Sequence, residues 1–297
     1  MTWTVIRWVW QLKAPLFIGT HPAGALNRCR LYVPSRPMHG AVTSELARLN
    51  GDENSKFPDY GKFGREVGIN CRFTYLFPAE KQDDKFLVWT PQFKMENGIQ
   101  WYCHDGERCL PDRDFRRCLL DPRPGTAIDP ESDSASEGTL RETECINPWW
   151  RASNSQGDPN PVLLLGYVFL RNNSFCRQLD SINTLFVGGD TRYGLGKICR
   201  VDWREVYGDL SVFGKQVHLD EKHFKIESDI VWGHALENGQ FQFQDQMQGM
   251  QELLGGWDRG NPWQRKLAWI PGSFSEQSKT WSIDEYGYWV HRSGPSR

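Results

Sequence analysis

The chain has 297 residues, 39 % of them hydrophobic and 14 of them tryptophan, a composition that excludes a chain disordered throughout and is enough for one large core or two modest ones. A formal net charge of -2 does not mark a nucleic-acid binder by its sum, and the longest apolar run, at 161–170, is too short to cross a bilayer. With no cleavable leader pattern at the start, the expectation is a soluble, cytoplasmic protein with no membrane partner and with eight reduced cysteines.

Taken in chain order, "TWTVIRWVWQL" has the Trp, Val, Ile and Thr content of a strand, bulky on both faces and therefore central. Pro15, Gly19, Pro22, Gly24, Pro34, Pro37 and Gly40 then break up an irregular stretch. "AVTSELARL" places Val42, Leu46 and Leu49 on one helical face, and Asn50-Gly51 ends that helix. "FLVWTPQFKM", "IQWYC" and "LRETECI" read as strands around the turn-rich, acidic "DPESDSASEGTL". Residues 148–160, "PWWRASNSQGDPN", read as a linker or exposed loop. Beyond it, "PVLLLGYVFL" is a buried strand, 175–185 a helix by its spacing of apolar residues, and "KICRVDW" an alternating strand.

The expected fold is α+β, with tandem ferredoxin-like βαββαβ units carrying β-hairpin and loop insertions, divided into 1–147 and 148–297, the second unit carrying the glycine-rich loop. The last third has no clear assignment from periodicity. Its Gln-rich run, "GQFQFQDQMQGMQELL", reads as an ordered polar surface because apolar residues interrupt it.

Charge and cysteine placement say more than the totals. No Asp or Glu occurs from Met1 to Ser44, whereas Arg7, Lys13, Arg28, Arg30 and Arg36 do, as expected of a footprint for phosphates. Residues 129–144 are the counterweight, with six acids against Arg141 alone. Cys103, Cys109 and Cys118, completed by Cys71 or His104, offer enough soft ligands for a zinc ion. No C-x-x-C pair supports it, so ordinary thiols and no cofactor are expected.

"FVGGDTRYGLGKIC", 186–199, is the most distinctive stretch. Gly189 and Gly194 have the separation of a nucleotide-hydrolase phosphate loop, but Leu195 stands where Lys is required. After Gly194 and Gly196 the third position of a dinucleotide fingerprint is Cys199, and the loop runs from helix to strand, the reverse of both motifs. A different use is expected: Gly188, Gly189, Gly194 and Gly196 would bring backbone N–H groups close to a phosphate, Arg192 and Lys197 would add charge, and Tyr193 a stacking face.

Three blocks, "YVPSRPMHGAVTSELARL", "TAIDPESDSASEGTL" and "FVGGDTRYGLGKI", resemble in that order the blocks of the RAMP superfamily of CRISPR-associated RNA-binding proteins. They span residues 31 to 198, and the middle block resembles that of the type III subunit that caps the 5′ end of the guide RNA, most closely its type III-D version. The resemblance implies RRM-like ferredoxin units and a glycine loop lying on guide RNA. It implies that Arg28, Arg30, Arg36 and His39 lie near that RNA, and that the middle block is an inserted hairpin. The implied partners are the crRNA 5′ tag, the large signalling or nuclease subunit and the RAMP backbone subunits. The hairpin's acidity, with Asp129, Glu131 and Asp133, points to a protein neighbour rather than RNA.

Other RAMP proteins cut repeat RNA without metal, using a histidine as general acid or base, and His21 and His39 lie in the acid-free segment. The middle block favours the capping role instead, which implies a binding subunit without catalytic residues. The alternative is a metal-independent endoribonuclease that processes CRISPR repeat RNA.

Overall fold

The computed structural model describes residues 3–51, 57–151, 160–221, 223–236, 247–255 and 265–291. Parts of the expected linker (152–159) and of the Gln-rich run (237–246) lie outside them. The strand expected at the N-terminus is β1, Thr4–Leu12, in which Trp8 and Trp10 are fully buried. Helix α1, Ser35–Leu49, begins six residues before the expected helix at Ala41. Pro37 is tolerated there because first-turn N–H groups have no intrahelical acceptor to lose. The helix buries Met38, Val42 and Leu46, and so takes in a stretch that its Pro and Gly content marked as irregular.

Helix α2, Tyr60–Asn70, follows, started by Asp59, whose side chain accepts from the Lys62 N–H, and it packs on α1. Strands β2, Cys71–Phe73, and β3, Phe77–Gln82, lead into β4, Lys85–Lys94, β5, Gly98–Cys103, and β6, Cys109–Pro111. Helix α3, Asp112–Leu119, then pins Phe115 flat against Trp101, ring centroids 4.4 Å apart. Strands β7, Leu120–Gly125, and β8, Arg141–Ile146, form an antiparallel ribbon. At its end Ile128–Asp129 pairs with Ser134–Ala135, so the acidic block is a hairpin.

Next come β9, Leu163–Leu170, helix α4, Asn173–Asp180, β10, Thr184–Phe186, and β11, Lys197–Glu205. The helix expected over 175–185 stops at Asp180, and its last residues cross into β10, which pairs with β11.

The sheet order explains how these pieces assemble. Strand β1 lies between β11 and β9, with Thr4 opposite Leu170 and Leu12 opposite Ile198. Strands β2 and β3 flank β9 on its other side, and all these pairs are antiparallel. The path β1, α1, β2/β3, β9, α4, β11 is a strand-helix-strand unit twice over, the βαββαβ arrangement, with 83–162 inserted between its second and third strands. Residues on both sides of the expected 147/148 boundary thus share one sheet.

A second ferredoxin-like unit is not what completes the chain. Strands β12, Lys215–Leu219, β13, Phe224–Ile230, β14, Gln251–Gly255, β15, Arg265–Trp269, β16, Phe274–Ile283, and β17, Trp289–His291, belong to a separate nine-stranded sheet. No α-helix among the described residues follows α4. The tandem expectation is therefore corrected to one βαββαβ unit and one β unit, within an α+β protein. The two are joined by apolar and polar contacts, with Phe224 stacked on Phe169 at 3.9 Å and the Phe93 N–H donating to the Gly272 carbonyl at 2.8 Å. Among the described residues no helix is long and apolar enough to cross a membrane.

Candidate nucleic-acid interface

A cleft of about 750 Å³ opens where the start of α1, the 18–21 loop and the glycine loop meet. His21 lines it from the 18–21 loop, Arg36 and Gly40 from the first block, and Gly188, Gly189 and Thr191 from the glycine loop. The β unit closes the remaining side with Leu253, Leu254, Tyr286 and Tyr288. Segments some 150 residues apart in sequence are thereby brought to one surface, because β11 and the stretch after β1 lie side by side.

The glycine loop has a different internal logic from the expected one. The N–H of Gly189 donates to the Phe17 carbonyl at 2.9 Å, that of Gly196 to Pro15 at 2.8 Å, and that of Gly194 to Thr191 at 3.1 Å. Three of the four glycine amides are thus used within the protein. The glycines are needed for shape: Gly188, Gly194 and Gly196 all have φ between 76° and 88°. A Cβ on Gly188 would run into the Phe17 carbonyl oxygen, and one on Gly196 into that of Val187. The charge the loop offers a phosphate comes from Arg192 and Lys197, both exposed.

Arg30 also departs from expectation. Its guanidinium turns inward, donating to both oxygens of Glu252 at 2.7 and 3.0 Å and to the Tyr32 hydroxyl at 3.2 Å. Glu252 is paired in turn with His234 Nε2, whose Nδ1 lies 2.5 Å from the Tyr75 hydroxyl. A neutral imidazole carrying its proton on Nε2 satisfies both neighbours, which fits a His234 pKa lowered by burial and only partly restored by Glu252. Burial also works against the Glu252 carboxylate, but His234 and Arg30 outweigh it and hold the pKa at about 2. The cluster tethers the β unit to the floor of the cleft; it does not present a cation.

The remaining expected residues are spread over neighbouring surfaces. Arg28 is exposed near the cleft rather than in its lining. His39 lies on α1, not in a loop, and faces a second cavity of about 480 Å³ with Arg65 and Arg72. Its pKa is lowered by burial and by the charges of Arg72 and Arg36, against a hydrogen bond at Gly64. Tyr193, 74 % exposed, lies under the Arg141 guanidinium at 5.7 Å and faces a third cavity with Arg123, on the far side of the glycine loop.

The cysteines are not gathered. Cys71 is buried on β2, Cys109 is exposed on β6, Cys118 is on α3, and the Cys103 sulfur accepts from Arg108 at 3.2 Å. Among the described residues no group of three or more His, Cys, Asp or Glu is placed to hold a metal ion. The residues that sequence reasoning missed are Arg65, Arg72, Tyr286 and Tyr288. Of these only Tyr286 and Tyr288, in the aromatic "EYGYWVH", carry a visible signal in the sequence.

No protein-family model matches the sequence. No curated protein matches it either. Compared as a structure, the chain is similar to a chain of the type III-B Cmr-beta complex solved by cryo-EM with cognate target RNA and AMPPnP, state 1, at TM-score 0.53 and 13 % identity over 91 % of this chain and 85 % of that one. A chain of Cmr-beta bound to cognate target RNA gives TM-score 0.54 at 13 % identity, covering 91 % and 86 %. The chain therefore shares the fold of a component of type III CRISPR complexes, as the three sequence blocks implied.

Proposed function

We propose that this chain is an RNA-holding subunit of a type III CRISPR effector complex, of the III-D kind, that grips the repeat-derived 5′ tag of the guide RNA and docks the large subunit and the RAMP backbone beside it. The observation that carries the reading is the cleft in which the acid-free first block and the glycine loop meet. Arg36 and His21 line it and Arg28 and Arg192 stand exposed around it, a set suited to phosphates, while Tyr286 offers a ring to a base. The shared fold with a component of complexes solved on target RNA supports the same reading.

Arg28→Ala, Arg36→Ala and Arg192→Ala combined should lower guide occupancy and complex yield and flatten the salt dependence of RNA binding by about 2 in slope, at roughly 0.7 for each lost contact. Thermal melting should be unchanged. Full guide loading by the triple variant would refute the assignment.

One observation favours a second reading: His21 is exposed in the cleft itself. Incubation with repeat RNA in the absence of metal separates the two. Retention without cleavage supports the binding role, whereas a discrete product lost in His21→Ala makes this the processing nuclease.

A further inference from the structure

We infer that the cavity behind the start of α1 takes one nucleotide turned out of the RNA strand in the cleft, a site that rests on the RNA-binding reading above. The cavity and the cleft share Arg36 and Tyr286 in their linings, so a strand in the cleft passes the mouth of the cavity. At about 480 Å³ it falls within the range of small-ligand pockets, ~300–1,000 Å³.

Its chemistry is that of a nucleotide rather than a bare anion. The helical side supplies three cations, Arg36 from α1, Arg65 from α2 and Arg72 at the foot of α2. Arg72 is held in place by donating to the Gly68 and Cys71 carbonyls at 2.5 and 2.7 Å. The opposite wall is the turn from Asp284 to Gly287, which supplies two carboxylates and the Tyr286 ring. Carboxylates would repel an isolated phosphate, but they accept from the amino and imino groups of a base edge or from a ribose hydroxyl. Cations for the phosphate, a ring for the base face and acceptors for its edge all meet in one cavity.

The cavity is built before any ligand arrives. The Asp284 carboxylate accepts from the N–H groups of Tyr286 and Tyr288 at 2.9 and 2.8 Å, which fixes the turn. Gly287, at φ 84°, rests so closely on Ser35 that no Cβ fits between them. The turn is therefore pressed onto the first residue of α1, and Tyr286 is positioned by the fold of the β unit. This gives the C-terminal unit a direct part in RNA binding.

The test is equilibrium binding of a fluorescent single-stranded RNA carrying the repeat-derived tag, to wild type, Arg65→Ala, Tyr286→Ala and Arg192→Ala, over a range of salt. Tyr286→Ala should weaken binding about tenfold with an unchanged salt slope, the scale of one lost base–aromatic stack. Arg65→Ala should weaken it and lower the slope by about 0.7. Weakening by Arg192→Ala alone, with both cavity variants at wild-type affinity, overturns the cavity assignment and leaves the RNA-binding reading standing. A wild-type protein that retains no RNA overturns both. Arg65 and Tyr286 are both exposed, and a thermal melt of each variant separates lost binding from lost folding.

Discussion

Gly194 and Gly196 look alike in the sequence and have almost the same backbone angle, yet a methyl group should cost far more at one than at the other. At Gly194 nothing lies within 4 Å of a Cβ, so Gly194→Ala bears only the left-handed backbone penalty, about 1 kcal/mol. At Gly196 the same Cβ collides with the Val187 carbonyl, and Gly196→Ala should cost about 3 kcal/mol or more, read as a shift in the urea midpoint. The reason the loop is glycine-rich was thus only half legible. That its backbone must turn sharply follows from four glycines in nine residues; that the amides of Gly189 and Gly196 are already taken by Phe17 and Pro15 does not, because those partners lie some 170 residues upstream. Arg30 repeats the lesson. Its place in an acid-free segment marked it as a cation for phosphate, and the carboxylate that neutralises it, Glu252, comes from the other end of the chain.

Among the elements, strands declared themselves through alternation and β-branched or aromatic content, as β1, β4, β5, β8, β9 and β11 all show. Helices were less legible. Pro37 and Gly40 concealed the first turn and a half of α1, and α3 is short and polar, held mainly by one buried ring, Phe115. The 128–135 hairpin is exposed, with Asp129 already fixed by the Glu131 N–H and the Ser132 hydroxyl. Its charge faces solvent and is open to a neighbour. Replacing Asp129, Glu131 and Asp133 by Lys should weaken subunit assembly in co-purification while leaving affinity for free RNA unchanged. Unimpaired assembly with altered RNA affinity would place the hairpin on RNA instead.

For the whole molecule, the α+β class was legible but the number of βαββαβ units was not, since each half of the chain contains a strand, a helix and another strand. Only the pairing of β1 with both β9 and β11 shows that the halves share a sheet. Union of that sheet with the β unit should depend on pH through His234 and Glu252. Both folded pKa values are lowered, so the unfolded chain binds more protons as pH falls and stability declines with it. The His234 contribution is complete above its ordinary 6.5 and is lost below it; that of Glu252 is lost from 4.5 down to about 2. The urea midpoint should therefore fall as the pH is lowered from 7, first through His234 and below about 4.5 through Glu252 as well, and Glu252→Gln should flatten the most acidic part of that curve.

The position of β1 also has a consequence in time. It is made before both strands that flank it, it is apolar on both faces, and those neighbours begin at Leu163 and Lys197. At roughly 5–20 residues per second, those neighbours follow only after about ten seconds or more. During that interval two tryptophans and four aliphatic side chains of one short strand lack the flanking strands they pair with in the folded sheet, which leaves the growing chain an exposed apolar segment of the kind that aggregates.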